Sequence, residues 1–124
     1  MSKVLILFAH PAFQKSRAQK HLVAATHSLD GVTFHDLIVL QHPFDWYSCP
    51  ALLKERLDLV LEYGFAYGHQ GTALEGKKVL TVITTGGSQD AYRSDGYNRF
   101  TIRQFLAPFE QTAVLYGMPT CRPT

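Results

Sequence analysis

Three short segments carry the residue types that can hold and tune a small ligand. "AHPAFQKSRAQK", residues 9–20, offers His10 and Ser16 as hydrogen-bond donors and Arg17 and Lys20 as cations. "QHPFDWYSCP", residues 41–50, puts Phe44, Trp46 and Tyr47 close together, and a planar heteroaromatic ring would stack on such groups. "TTGGSQDAY", residues 84–92, supplies Thr84 and Thr85 as hydroxyl donors, and Gly86 and Gly87, whose backbone amides can approach a ligand closely. The first two have plainer readings when taken alone. The first is a capped helix with a solvated basic face. The second is a set of loop aromatics folded back on the core.

The elements that must position these segments follow from hydrophobic periodicity. "KVLILFA", residues 3–9, is a continuous apolar run, the pattern of a strand buried on both faces. Ser16 can cap a helix over roughly 17–29, with Ala18, Leu22, Ala25 and Leu29 at helical spacing and Gly31 as its terminator. "VTFHDL" and "IVLQ" read as a second and a third strand, and "KKVLTVITT" as a fourth. Between the last two, a helix opens near Pro50, capped by Ser48 or Cys49, with Leu52, Leu53, Leu57, Val60 and Leu61 on one face. A last helix spans about 101–117, and Pro108 inside it means a kink or a fresh start. The tail "MPTCRPT" has two prolines and no strand character. Buried strands alternating with amphipathic helices predict an α/β fold, an open parallel sheet with helices on both faces. In such sheets ligands bind beyond the carboxyl ends of the strands, which is where all three segments fall.

Composition bounds the function. A chain of 124 residues with 46% hydrophobic and 18% charged residues suits one folded domain, residues 1–124. A net charge of +2, with scattered basic residues, fits a small anionic ligand better than nucleic acid. Two cysteines, Cys49 and Cys121, form no disulfide framework and favour a reducing, cytoplasmic setting. No apolar run is long enough to span a bilayer. There is no Walker motif and no G-x-G-x-x-G, so nucleoside-triphosphate and dinucleotide fingerprints lack support. The six histidines form no metal set: His21 and His27 fall on different helical faces. Cys49, before a helix, is a candidate thiolate, but the simpler reading is a small, partly buried residue.

Together, "KVLILFAHP", "QHPFDWYSCPALLKERLDLVLEYGFAYG", "GTALEGKKVLTVITTGGS" and "LAPFEQTAVLYGM" resemble the flavodoxin-like NAD(P)H:quinone oxidoreductases. Within them the chain is most similar to the bacterial ancillary proteins of glutathione-regulated potassium efflux systems. The resemblance implies a flavodoxin-like fold, bound FMN (FAD in some relatives), NAD(P)H as hydride donor, a quinone-like acceptor, a homodimer and ping-pong kinetics. It assigns a phosphate loop to His10 and Ser16, Arg17, Ala18 and Gln19. It assigns the flavin-ring segment to Phe44, Asp45, Trp46 and Tyr47, and the ring's polar edge to Thr84, Thr85, Gly86 and Gly87. Tyr92 matches a tyrosine that accommodates charge on the reduced flavin in animal relatives; their companion histidine aligns near Asn98, where this chain has none, so a Tyr–His relay is not carried over. Gln19 and Asp45 depart from the common pattern, which often has Asn at the first and an uncharged residue at the second. The same resemblance supports a second role, a flavin-binding regulatory subunit docked on a potassium efflux transporter at the inner face of the membrane.

Relatives of this kind carry a loop and helix between the strands matching "VTFHDL" and "IVLQHPF", and a further strand and helix after Gly117. Two parallel strands cannot adjoin without a crossover of a dozen or more residues. Either 32–41 is one strand, or a connector is missing at Leu37–Ile38. The second is the expectation carried forward, with a C-terminal strand and helix also lacking.

Overall fold

The computed structural model describes residues 4–8, 17 and 36–121. Three parallel strands, β1 (Val4–Phe8), β2 (Leu37–Pro43) and β3 (Lys78–Thr84), form a sheet in the order β1-β2-β3. Their sequences, VLILF, LIVLQHP and KVLTVIT, are dominated by aliphatic and β-branched side chains, which suit a pleated surface covered on its faces. The middle strand is the most deeply buried, as the centre of a parallel sheet should be.

At Leu37–Ile38, where a connector was expected to be missing, the strand runs on without a break. Both residues lie in β2, where Leu37 pairs with Val4 and Lys78, and Ile38 with Leu5 and Val79. With β2 starting at Leu37, the crossover that β1 and β2 require is provided by the span from 9 to 36, which is ample in length. Apolar "VTFH", read from the sequence as a strand of its own, created the apparent need for a second crossover; it lies outside the described residues.

Side chains alternate across β2. Leu40 packs with Leu53 and Leu57 of a helix, α1 (Ala51–Val60), and with Phe109 of α3 (Ala107–Leu115). Val39 and Gln41 are buried on the opposite face. Both longer described helices therefore cover one face, and the helix expected near 17–29 lies outside the described residues. A second buried cluster, Ala66, Leu74, Ala113 and Met118, closes the end of α3 against the loop that precedes β3.

Local chemistry sets the helix boundaries. α1 has Pro50 as its N-cap and no side-chain cap, so neither Ser48 nor Cys49 caps it as expected. Pro50 has no N–H to satisfy, and its φ of −56° already suits the helix entry. Of the apolar residues expected to share one face, Leu53 is buried and Leu57 and Leu61 are half-buried, while Leu52 and Val60 are exposed. The predicted last helix is two. A short α2 (Ile102–Phe105) opens with a capping box between Thr101 and Gln104, and α3 restarts after Leu106 with Pro108 in its first turn. Proline there removes no hydrogen bond, so the fresh start wins over the kink. Gly117, at φ +66°, ends α3, and the Met118 N–H donates to the Ala113 carbonyl at 2.9 Å.

The tail departs from its predicted lack of strand character. Val79 N–H donates to the Pro119 carbonyl at 3.1 Å, and Cys121 N–H to the Val79 carbonyl at 2.8 Å, a parallel bridge centred on Thr120. A proline entering a strand still offers its carbonyl, so Pro119 does not prevent this pairing.

Candidate functional site

Parallel pairing brings Pro43 opposite Thr84, so β2 and β3 release their loops at one edge of the sheet. The ladder continues one step further, with Phe44 N–H donating to the Thr84 carbonyl at 2.8 Å. From that fixed point the chain makes a tight 3-10 turn over Asp45–Tyr47, closed by Ser48 N–H on the Asp45 carbonyl at 2.9 Å.

The turn is strained. Trp46 and Tyr47 sit at φ 47° and 62°, the left-handed region that side chains with a Cβ rarely enter. Two such residues in succession cost of order 1–3 kcal/mol each, and strain of this kind is held in place only by surrounding structure. Here the support is aromatic. Phe105 is the hub: its ring lies 5.2 Å from Tyr47, nearly parallel, 5.5 Å from Phe44, 5.6 Å from Phe100 and 6.4 Å from Tyr92. Phe44 also meets Tyr92 edge-on at 5.8 Å and Tyr47 at 6.3 Å. The Tyr47 hydroxyl donates to Asn98 Oδ1 at 3.3 Å, tying the β2 loop to the β3 loop. Arg99, next to Asn98, is itself at φ 62°. The outcome of the strain is that Trp46 is thrown outward, 92% exposed.

The loop after β3 completes this edge. Thr84 is half-buried at the strand end, and Thr85, Gly86 and Gly87 are exposed. The Thr85 hydroxyl donates to the Gly87 carbonyl at 3.0 Å, leaving its oxygen lone pairs as acceptors. A Cβ on Gly86 would meet nothing within 4 Å, so its backbone faces open space, while one on Gly87 would come within 3.2 Å of the Tyr92 ring. Beside them a cavity of about 430 Å³ is lined by Thr85, Gln89, Tyr92, Thr101, Ile102 and Arg103.

Of the residues singled out from the sequence, the structure therefore gathers Phe44, Tyr47 and Tyr92 in one ring cluster. Asp45, Trp46 and Thr84 to Gly87 stand on the same edge. Arg17 is exposed; His10, Ser16, Ala18 and Gln19 lie outside the described residues. Sequence reading missed Phe100 and Phe105, and passed over Asn98 as a contact. Phe105 stood inside a helix read as amphipathic, and only the break at Leu106 aims that turn at the strand ends.

His42 was also missed. It is fully buried one residue before the strand ends, and its ring lies 5.8 Å from that of Phe109. Its Nδ1 is 2.8 Å from the Pro43 carbonyl, which can only accept, so Nδ1 carries the proton. Nε2 is then a buried acceptor, and it has no partner. Burial lowers the His42 pKa, against the opposing pull of the Pro43 carbonyl and the Asp45 charge. The ring is thus held neutral. Cys49 is shifted the other way: burial raises its pKa, outweighing the Ser48 hydrogen bond and the Lys54 charge. A thiol favoured over a thiolate is a poor nucleophile, which supports the simpler reading of Cys49. No metal-binding group of three or more His, Cys, Asp or Glu occurs among the described residues, and no helix among them is long and apolar enough to cross a membrane.

A parallel sheet carrying its loop chemistry at the carboxyl edge defines the class, and the comparisons agree with it. The chain belongs to the flavodoxin-like fold family, whose model matches residues 32–124. It is 45% identical to the glutathione-regulated potassium-efflux system ancillary protein KefG of Pectobacterium atrosepticum, over 98% of this chain and 79% of the relative. That alignment runs over 144 positions, more than the 124 residues of this chain, so the relative carries residues within the matched span that have no counterpart here. Among solved structures, an NADPH-quinone reductase from P. pentosaceus superposes with a TM-score of 0.88 at 34% identity, over 98% of this chain and 82% of that one. General stress protein 14 of Treponema denticola, solved in complex with FMN, gives a TM-score of 0.84 at 33% identity, over 96% of this chain and 82% of that one.

Proposed function

We propose that this protein binds FMN at the carboxyl edge of its sheet and acts as an NAD(P)H:quinone oxidoreductase. The carrying observation is the pairing of a displayed aromatic turn, Phe44 to Tyr47, with an open glycine loop, Thr84 to Gly87, on one rigid edge. The residues present fit the cofactor. Trp46 offers an exposed ring for a planar heteroaromatic system, and the empty space over Gly86 lets backbone amides approach its polar rim. Likeness to a quinone reductase and to an FMN-bound protein supports the same reading.

Bound FMN supplies the redox chemistry, accepting two electrons from a nicotinamide and passing them to a quinone. This chain's part is to bind, orient and tune. Phe44, held by Thr84, anchors the turn; Trp46 and Tyr47 flank the ring; Thr84 to Gly87 hold its polar edge. Tyr92, packed on Phe44 and Phe105, presents a phenol that can donate toward charge that develops there. Asp45 sets an unusual electrostatic balance, since a carboxylate beside the ring opposes a reduced, anionic flavin. Arg17, with His10, Ser16, Ala18 and Gln19, is assigned to the phosphate. Donor and acceptor take turns on one face, which predicts ping-pong kinetics, and the protein works as a homodimer.

A second reading rests on the 45% identity to an efflux-system ancillary protein. In it, the FMN-loaded protein docks on a potassium efflux transporter at the membrane's inner face, and occupancy matters more than turnover. One experiment separates the two. The protein is reconstituted with FMN, its visible spectrum recorded, and NAD(P)H oxidation followed with a soluble quinone. Parallel double-reciprocal lines establish the enzyme; a bound flavin without turnover, with capture of the transporter, favours the regulatory role; absence of flavin bands rejects both.

A further inference from the structure

A more apolar cavity lies away from the carboxyl edge. Between α1, α3 and the sheet is a cavity of about 220 Å³. Ile38, Leu40, Leu74, Ala113 and Met118 line its depth, and four of these five are buried core residues. Arg56, Val60 and Phe65, all exposed, line its outer end. Protein interiors pack like organic crystals and hold few voids larger than a water molecule. This void is well above that size. Water does not suit it, because a buried water needs two to four polar partners. The Thr112 hydroxyl already donates to the Pro108 carbonyl at 2.8 Å, and no unpartnered buried side-chain atom among the described residues belongs to the lining. An apolar cavity open at one end can take up a small apolar molecule that displaces poorly held water.

We propose that this cavity is a binding site for a small, uncharged aromatic molecule of one or two fused rings. The lining selects the class. Its walls are mostly aliphatic and aromatic, with Arg56, Thr112 and Tyr116 the residues that carry polar side-chain atoms. Phe65, Phe109 and Tyr116 offer ring edges and faces, which prefer an aromatic guest to an aliphatic one of equal size. Arg56 is the one charged residue in the lining and adds a cation–π partner at the mouth. A carboxylate-bearing ligand would have to lose its hydration against apolar walls, and it is excluded. The site is separate from the flavin-ring edge; Phe109, whose ring contacts His42, is the residue that reaches toward both.

The test uses the full 124-residue chain without added flavin. Toluene and naphthalene are titrated while methyl resonances and the thermal midpoint are followed, with benzoate as the charged control. The expected result is saturable shifts at Leu74, Ala113 and Met118 and a raised midpoint with toluene and naphthalene, and none with benzoate. Ala113→Leu fills the cavity and should weaken toluene binding at least tenfold; Leu57→Phe, from the opposite wall, should do the same if the first variant does not fold. Absence of saturable toluene binding, equal binding of benzoate, or unchanged toluene affinity in both folded variants would overturn the proposal. FMN titration of the same samples reads the carboxyl edge independently, so failure of one site is not mistaken for failure of the other.

Discussion

His42 and Trp46 are four residues apart and invert the usual rule of burial. The imidazole is fully buried, and the indole, the largest apolar side chain in the protein, is 92% exposed. His42 belongs to the end of β2, where pairing with Ile83 of β3 fixes the backbone. Trp46 belongs to the turn just beyond it, where φ is positive and the rings of Phe44, Tyr47 and Phe105 hold the strain. The difference teaches how this edge is built. The strand supplies rigidity, even at the expense of one unsatisfied nitrogen, and the turn spends that rigidity on displaying a ring. A binding edge that must be both open and fixed needs the two regions together.

Four changes break or sharpen the contrast. The largest effect is expected from Gly96→Ala, because a Cβ there would fall 2.3 Å from the Asp90 backbone oxygen. Backbone cannot step aside as a flexible side chain can, so urea unfolding should show a loss of about 3 kcal/mol and the β3 loop should lose its hold on Tyr47. Next is Phe105→Ala, which removes the ring shared by Phe44, Tyr47, Tyr92 and Phe100. A half-buried hub should cost about 2 kcal/mol, and FMN affinity should fall with it, since the turn loses its support.

Trp46→Gly separates display from support. Glycine enters the left-handed region freely, so the protein should become more stable by about 1 kcal/mol. Flavin binding, measured by fluorescence titration, should weaken roughly tenfold, or about 1.4 kcal/mol. A variant that is stabler and binds worse would confirm that the strain serves the site; one that is destabilised would mean that the indole supports the fold instead.

The gentlest effect concerns His42 and pH. Its folded pKa lies below the ordinary value of 6.5, so the unfolded chain binds the proton more readily. Stability should therefore be full above that value and decline as the pH falls below it, until the folded pKa is reached. His42→Leu should flatten this limb of the denaturation profile, since it also removes the unpartnered nitrogen. A wild-type profile that is flat through this window would show that Nε2 finds a partner.

Much of this was legible in the sequence, for physical reasons. Short continuous aliphatic runs bounded by loop residues fit strands buried on both faces, so β1, β2 and β3 and their parallel arrangement followed. Phe44, Trp46 and Tyr47 after one strand, and Thr84 to Gly87 after another, were expected at one edge of the sheet, and that is where the pairing of Pro43 with Thr84 puts them. The errors share a cause: each needed a contact that sequence spacing does not encode. "VTFHDL" and "IVLQ" were read as two strands parted at Leu37–Ile38, whereas Leu37 and Ile38 share β2. Leu52 and Val60 were read onto the apolar stripe of α1, yet the burial there centres on Leu53, with Leu57 and Leu61 half-buried. Phe105 and Asn98 became part of the edge only through the break at Leu106 and the left-handed Arg99. His42 carried no signal, since a histidine in a strand gives no sign of which of its nitrogens will find a partner.

The chain holds a single tryptophan, and it is the residue displayed at the candidate ring site. Its fluorescence therefore reports on the flavin-ring edge without any label. Titration of the purified protein with FMN should quench Trp46 emission saturably, with the same midpoint as the loss of free-flavin fluorescence. Emission that stays constant while FMN binds would place the flavin elsewhere, and emission that stays constant with no binding would contradict the assignment of this edge altogether.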